Sequence, residues 1–474
     1  MTHHGGAAGE RGTDALVIFG ITGDLARQMT FRALYRLERR GLLECPIVGV
    51  ARAEMDDDGL RARAHEALRE GDEQLDEKVL DSLGSRLRYV RGDLGEPETY
   101  ARVGSALGDA ASPIFYLETP PSTFAQVVAG LDDAQLLSNG GRVLVEKPFG
   151  LDLASARNLS SELHRHLDES QLYRIDHFLG KSGLDEILYL RFTNEMLEPV
   201  WNRHHLACVQ ITMAEAFGVE ERGSFFDPVG ALRDDVVNHM LQLTVAAAME
   251  APSGPDADAL QDAKRVLLRS TEDADPDRYV RGQYERYREI DGVADDSSTE
   301  TYAALELRID NWRWSGVPFL LRTGKRLATT ETELRLVFKR PPTPLFLAPD
   351  DRGRPQPAQL VVALDPSPGL KIVLDVHRAD GTSPRPLPLE AEFPQEGGGA
   401  QTPYEILLGA AIRGDRSHFA QQDYVEECWR IVQPLMDSPG PVHTYRQGSW
   451  GPNAADELAA PFGGWRGPGA TGEA

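Results

Sequence analysis

Cysteine is scarce in this chain. Cys45, Cys208 and Cys428 are far apart and belong to no CxxC or Cys/His cluster. An odd, scattered set of this kind excludes a disulfide framework and a structural zinc site, and it points to a reducing cytoplasm. Long apolar runs are also missing: none reaches the roughly 18 residues that a membrane-spanning helix needs. Residues 1–14 have no apolar h-region and read as a disordered tail, not a signal peptide. Positive charge is short as well, with 50 Lys and Arg against 74 Asp and Glu, a net charge of −24. That field repels a nucleic-acid backbone and an anionic membrane surface. A phosphate-bearing ligand would therefore need a local basic pocket.

What is present is ordinary globular composition, 41% hydrophobic and 26% charged, over 474 residues. That length favours two or more domains over one.

Ala15–Phe19 is a short apolar run, the pattern of a parallel strand buried on both faces. It leads into Gly20-Ile-Thr-Gly23-Asp24-Leu25. An amphipathic segment over residues 22–40 follows, with Leu25, Met29, Ala33 and Leu37 at four-residue steps, and Gly41 stops it. Residues 46–50 form the next strand, completing a unit of dinucleotide-binding length. Glycines in such a turn admit a pyrophosphate, and the helix N-terminus supplies N–H donors and positive potential. Arg52 lies where an acid would select NAD and an arginine would accommodate the 2′-phosphate of NADP. It reads either as that determinant or as a surface arginine.

Further strands are expected at residues 87–90, Pro113–Leu117 and Arg142–Glu146. The last two run out into Glu118-Thr-Pro120-Pro121 and Lys147-Pro148, which places rigid loops at the carboxyl edge of the sheet. A cis bond is expected at Pro148 or within Pro120-Pro121. Residues 151–167 read as a helix.

Residues 173–181, Tyr-Arg-Ile-Asp-His-Phe-Leu-Gly-Lys, then bring an acid, an imidazole and two cations together. Adjacent side chains point apart, so Asp176 and His177 serve different neighbours. A solvated charged loop and a ligand site both stand on composition alone. Beyond this stretch, alternation at residues 208–213, 301–309, 333–338, 359–364 and 371–376 predicts an antiparallel sheet. The longest helix there is expected over residues 236–249. Residues 251–258 and 384–403 have loop composition, and residues 451–474 read as a Gly/Pro/Ala-rich tail.

Three more stretches complete the pattern: Ala214-Glu215-Ala-Phe-Gly218, Phe226 to His239 with Arg233-Asp234-Asp235 inside it, and Val317 to Lys325 ending in Arg322-Thr-Gly324-Lys325. With the motifs above, they resemble the glucose-6-phosphate dehydrogenase family, in order and over residues 15–452. The resemblance implies a Rossmann domain followed by an α+β domain with a large, mainly antiparallel sheet. It divides the chain into a tail (1–14), an NADP-binding domain (15–172), a substrate and dimerisation domain (173–452) and a C-terminal tail (453–474). It also implies a homodimer or homotetramer assembled through the sheet.

The implied activity is oxidation of a sugar phosphate, D-glucose 6-phosphate, at C1 to its lactone, the entry step of the pentose phosphate pathway. His239 would be the general base and Asp176 its carboxylate partner. Lys147, His177, Lys181, Glu215, Asp234 and Lys325 would bind the substrate. Gly20, Gly23, Asp24, Leu25, Arg52, Tyr116, Pro120 and again Lys147 would hold NADP. The chemistry is consistent with this assignment. Oxidising a hemiacetal needs a base that titrates near neutrality, and hydride transfer needs no metal.

Three positions depart from the family pattern. Phe178 stands where a tyrosine hydroxyl often helps hold the phosphate. No basic residue beyond Arg326 follows Lys325 before Glu331. Asp235 replaces an apolar residue and is expected to act as a first-turn acid favoured by the helix dipole, not as a competitor for the imidazole. The first two leave another hexose phosphate or a free aldose as an alternative substrate. A non-catalytic NADP-binding paralogue is a further alternative, and the intact Asp176 and His239 speak against it.

Overall fold

The computed structural model describes residues 12–71, 74–138, 140–342, 356–376, 385–393 and 401–467. The chain forms two compact units. Met1–Lys181, Pro252–Asp262 and Ala400–Glu426 make the first; Ser182–Ala251, Ala263–Gly399 and Glu427–Ala474 make the second.

The first unit is built on six parallel strands: β1 (Ala15–Phe19), β2 (Ile47–Ala51), β3 (Leu87–Arg91), β4 (Pro113–Leu117), β5 (Arg142–Glu146) and β6 (Leu172–Ile175). Their order is β3-β2-β1-β4-β5-β6. β1 and β4 are buried along their whole length, as their unbroken apolar sequence requires. The direction of winding reverses between them, and open α/β sheets bind ligands at that point. The helix after β1 begins as a π-helical turn, Ala26–Thr30, and continues as Phe31–Arg39, burying Phe31, Ala33, Leu34 and Leu37. The expected helix over 151–167 is shorter, Leu153–Leu163. Asp152 starts it by accepting the Ser155 N–H in a capping box.

The segments that return late in the chain brace this unit. Helix Pro403–Arg413 opens with a Thr402/Glu405 capping box. The fully buried Glu405 pairs with Arg40 at 2.5 Å and Arg36 at 3.8 Å. An ionised carboxylate buried without such partners would be costly.

The second unit holds nine strands: β7 (Leu206–Ala214), β8 (Tyr279–Tyr284), β9 (Tyr302–Leu307), β10 (Phe319–Gly324), β11 (Glu331–Phe338), β12 (Gln359–Asp365), β13 (Gly369–Val376), β14 (Arg385–Glu392) and β15 (Val442–Tyr445). Their order is β14-β13-β12-β11-β7-β10-β9-β8-β15. The sheet is antiparallel except where β10 pairs with β7 and β15 with β8. Sequence alternation finds β7, β9, β11, β12 and β13.

Residues 385–392, expected as loop, are the edge strand β14. Pro386 and Pro388 hide it from a propensity reading, and an edge is where a sheet accepts proline. Gly397–Gly399 lies outside the described residues. The tail expected from residue 453 is ordered through residue 467. Phe462 and Trp465 pack on Cys208, Leu320, Val337 and Ala459, and the Arg322 guanidinium lies between the Trp450 and Trp465 rings at 4.5 and 4.7 Å. No described helix is long and apolar enough to cross a membrane.

Candidate active site

In the first unit, the carboxyl ends of β1 and β4 meet at Gly20. Its φ is +87°, and a Cβ there would come within 2.2 Å of the Glu118 carbonyl oxygen. Only glycine fits this turn. Gly23 N–H donates back to Gly20 O at 2.8 Å, and the helical backbone starts at Asp24-Leu25. Gly23 and Asp24 are exposed, so the helix N-terminus stays open to an anion, as a pyrophosphate requires.

Arg52 is exposed after β2. It lines an open cleft of about 620 Å³ with Tyr89, Arg91, Gly92, Asp93, Glu96 and Arg102. Tyr89 donates its hydroxyl to Ala51 O and Ala53 O, holding the Arg52 turn. Sequence reasoning missed Tyr89, Arg91 and Arg102. Arg91 follows directly on the strand it did expect, which was the available signal.

Pro120 is exposed beyond β4, whereas Tyr116 is fully buried and donates its hydroxyl to Glu146 at 2.6 Å. Thr30 donates to Glu118. Burial pushes the Glu118 carboxyl up to about 8 and that of Glu146 up to about 7. Lys147 follows Glu146, its peptide bond to Pro148 is cis, and its side chain is half-buried.

The stretch 173–181 is a packed junction, not a solvated loop. β6 ends at Ile175. The buried Asp176 accepts the Phe178 N–H at 3.0 Å and so caps the 3-10 turn His177–Gly180. Phe178 is buried, and the Lys181 ammonium rests over its ring at 4.9 Å. The absent hydroxyl is thus replaced by a cation–π support for the neighbouring lysine. A Cβ on Gly180 would meet the Pro403 carbonyl at 2.5 Å, and His418 bonds Leu179 O at 3.2 Å. His177 and Lys181 are half-buried while Asp176 is buried, the two-sided arrangement expected of adjacent residues.

In the second unit, β7 and β10 run parallel and end together, Ala214 opposite Gly324. The next residue of each, Glu215 and Lys325, therefore forms an ion pair of 2.5 Å. Lys325 is buried and lies 5.1 Å from the Phe226 ring. Beside this pair runs a π-helical segment, Leu232–Met240, which continues as helix Leu241–Ala248. It carries Asp234 half-exposed and Asp235 and His239 buried. Wide π turns are frequent at functional sites. Asp235 lies in the first turn, as expected, but is turned inward, where Thr323 donates to it at 3.3 Å.

Comparison with known proteins agrees with both units. Family models described as glucose-6-phosphate dehydrogenase, NAD binding domain, and glucose-6-phosphate dehydrogenase, C-terminal domain, match residues 17–185 and 188–466. Glucose-6-phosphate 1-dehydrogenase 1 of Mycobacterium tuberculosis is 48% identical over 468 residues, covering 99% of this chain and 98% of that protein. The crystal structure of glucose-6-phosphate 1-dehydrogenase from Mycobacterium avium superposes with a TM-score of 0.90 at 49% identity, over 97% of this chain and 99% of that one. A solved glucose-6-phosphate dehydrogenase in complex with its substrate glucose-6-phosphate gives 0.88 at 30% identity, over 97% of this chain and 100% of that one.

Proposed function

The chain belongs to the glucose-6-phosphate dehydrogenase family, and from that premise we propose how its residues work. It oxidises D-glucose 6-phosphate at C1 to 6-phospho-D-glucono-1,5-lactone. NADP, when bound, accepts the hydride that leaves C1. His239 takes the proton of the C1 hydroxyl as C1=O forms, and Asp176 is the carboxylate that orients the ring and stabilises its charged form. Glu215 and Asp234 hold sugar hydroxyls; His177, Lys181 and Lys325 supply the positive charge that the phosphate needs against a net charge of −24. Lys147 would sit between substrate and cofactor. Gly20, Gly23, Asp24 and Leu25 would hold the pyrophosphate of NADP, Arg52 its 2′-phosphate, and Pro120 would also belong to the cofactor site. Tyr116, expected to hold NADP, is fully buried and would act from behind the site, its hydroxyl holding the Glu146 carboxyl next to Lys147.

The observation that carries this reading is the cluster at the ends of β7 and β10, where the Glu215–Lys325 pair adjoins the segment bearing Asp234 and His239. Steady-state kinetics with glucose 6-phosphate and glucose, each with NADP and NAD, tests it. Efficiency is expected to be highest for the phosphorylated sugar with NADP. His239→Asn should lower kcat about a hundredfold or more and leave the sugar KM within about twofold. Equal efficiency on both sugars, or an active His239→Asn enzyme, would defeat the assignment.

The three free cysteines are all buried and suit a cytoplasmic protein. Self-assembly through the sheet is supported by an exposed apolar face on its outer hairpin. There Leu370 pairs with Ala391, Ile372 with Leu389 and Leu374 with Leu387, and Leu374, Leu387 and Leu389 are each 36–50% exposed. A patch of this kind marks an interaction surface.

A further inference from the structure

Asp235 is a buried carboxylate that the reaction just described does not use; only 4% of it is exposed. Its hydrogen bond from Thr323 ties the π-helical segment to β10, the strand that leads into Lys325. The charged and titratable groups acting on it are Lys325 beyond β10, Glu215 beyond β7, and Asp234 and His239 on its own segment. Burial pushes the Asp235 carboxyl up to about 6, with Lys325 pulling the other way. Lys325 prolongs the β10 ladder, its N–H donating to Thr301 O at 2.9 Å, so Thr323 and Lys325 point to the same side and the carboxyl that Thr323 holds lies on the side of that ammonium. Burial also opposes the Lys325 charge, but Asp235 and then Glu215 outweigh it and hold that ammonium above its ordinary range. One ammonium thus answers two carboxylates, with Asp234 a third close by.

We propose that Asp235 sets the strength of selection for the phosphorylated sugar, acting through Lys325 as a second counter-charge on the same ammonium. It does not touch the reacting atoms. Because Asp235 and Lys325 are both buried, the cancellation is poorly screened, so an incoming phosphate meets less positive potential than Lys325 alone would present. Lys325 stays in place without it, because Glu215 holds the ammonium at 2.5 Å. Removing the Asp235 charge therefore releases attraction for an anion without unseating the lysine. A neutral sugar gains nothing. The inference rests on the reading that Lys325 faces the sugar phosphate.

Asp235→Asn keeps the size and the acceptor for Thr323 and deletes the charge; Asp235→Val deletes it without the acceptor. Both are expected to lower the KM for glucose 6-phosphate about fivefold, equivalent to roughly 1 kcal/mol. The KM for unphosphorylated glucose, and kcat with either sugar, should stay within about twofold. Asp235→Glu should restore the original KM. A purely structural role would shift thermal stability and leave the ratio of the two KM values unchanged. An unchanged or raised KM for glucose 6-phosphate in both neutral variants, or an equal fall for glucose, overturns the proposal. If the unaltered enzyme itself fails to prefer glucose 6-phosphate over glucose, the substrate reading fails instead, before any variant is made.

Discussion

A charge-assisted hydrogen bond is worth about 1.5–3 kcal/mol, and three guanidiniums, those of Arg52, Arg91 and Arg102, line the cleft after β2 and β3. Arg91 and Arg102 have carboxylate neighbours, Glu54 at 3.3 Å and Glu96 at 3.9 Å, which occupy part of their charge. Arg52 follows β2 on the turn held by Tyr89 and is the best placed to meet a 2′-phosphate. Arg52→Ala is expected to raise the KM for NADP about tenfold or more while leaving efficiency with NAD nearly unchanged. An equal loss with both cofactors, measured by initial rates, would assign Arg52 a structural role. Phe178 acts at the same scale in two ways. From sequence it subtracts a phosphate donor; in the fold its ring carries Lys181.

At the scale of elements, β4 and β5 end in carboxyls that the sheet has taken out of water. Burial pushes the Glu118 carboxyl up to about 8 and that of Glu146 up to about 7, above the ordinary carboxylate range. Tyr116 and Tyr404 also hydrogen-bond Glu146. Each carboxyl binds its proton more tightly folded than unfolded. The stability this gives is complete below about pH 4.5 and is lost as pH rises through 7 and then 8. The melting temperature should therefore fall between pH 6 and 9, and Glu118→Gln and Glu146→Gln should each flatten that fall by roughly 2–4 °C. Parallel melting curves for variant and parent, followed by circular dichroism across that range, would contradict this. The π-helical start of the segment bearing His239 belongs to the same scale. Its apolar pattern reads as a plain helix from residue 236, because periodicity registers which side chains are buried but not an extra residue in a turn.

For the whole molecule, the exposed apolar ladder on β13 and β14 is costly to leave in water. Burying it against a second copy recovers about 25 cal/mol per Å² of apolar area. Light scattering should find a mass of two or four times 52.2 kDa. The double variant Leu387→Glu with Leu389→Glu should drive the protein towards monomer, by setting unpaired charges in that face. A variant that keeps the assembly would place the interface elsewhere.

Several features were determined by the sequence alone, because they rest on neighbours in the chain: the buried β1 and β4, the glycine turn at Gly20, and the alternating strands β7, β9, β11, β12 and β13. Tertiary structure decided whatever depends on distant partners. Only pairing shows β14, since Pro386 and Pro388 inside a strand are tolerable because that strand is an edge. Only packing turns residues 453–467 from a glycine-rich tail into a strap, because Trp465 needs Arg322 beside it. Pro252–Asp262 and Ala400–Glu426 return to the first unit, which no reading of the linear chain reveals. Glu215 and Lys325, 110 residues apart, become one ion pair because β7 and β10 end side by side, and that register is a property of the sheet.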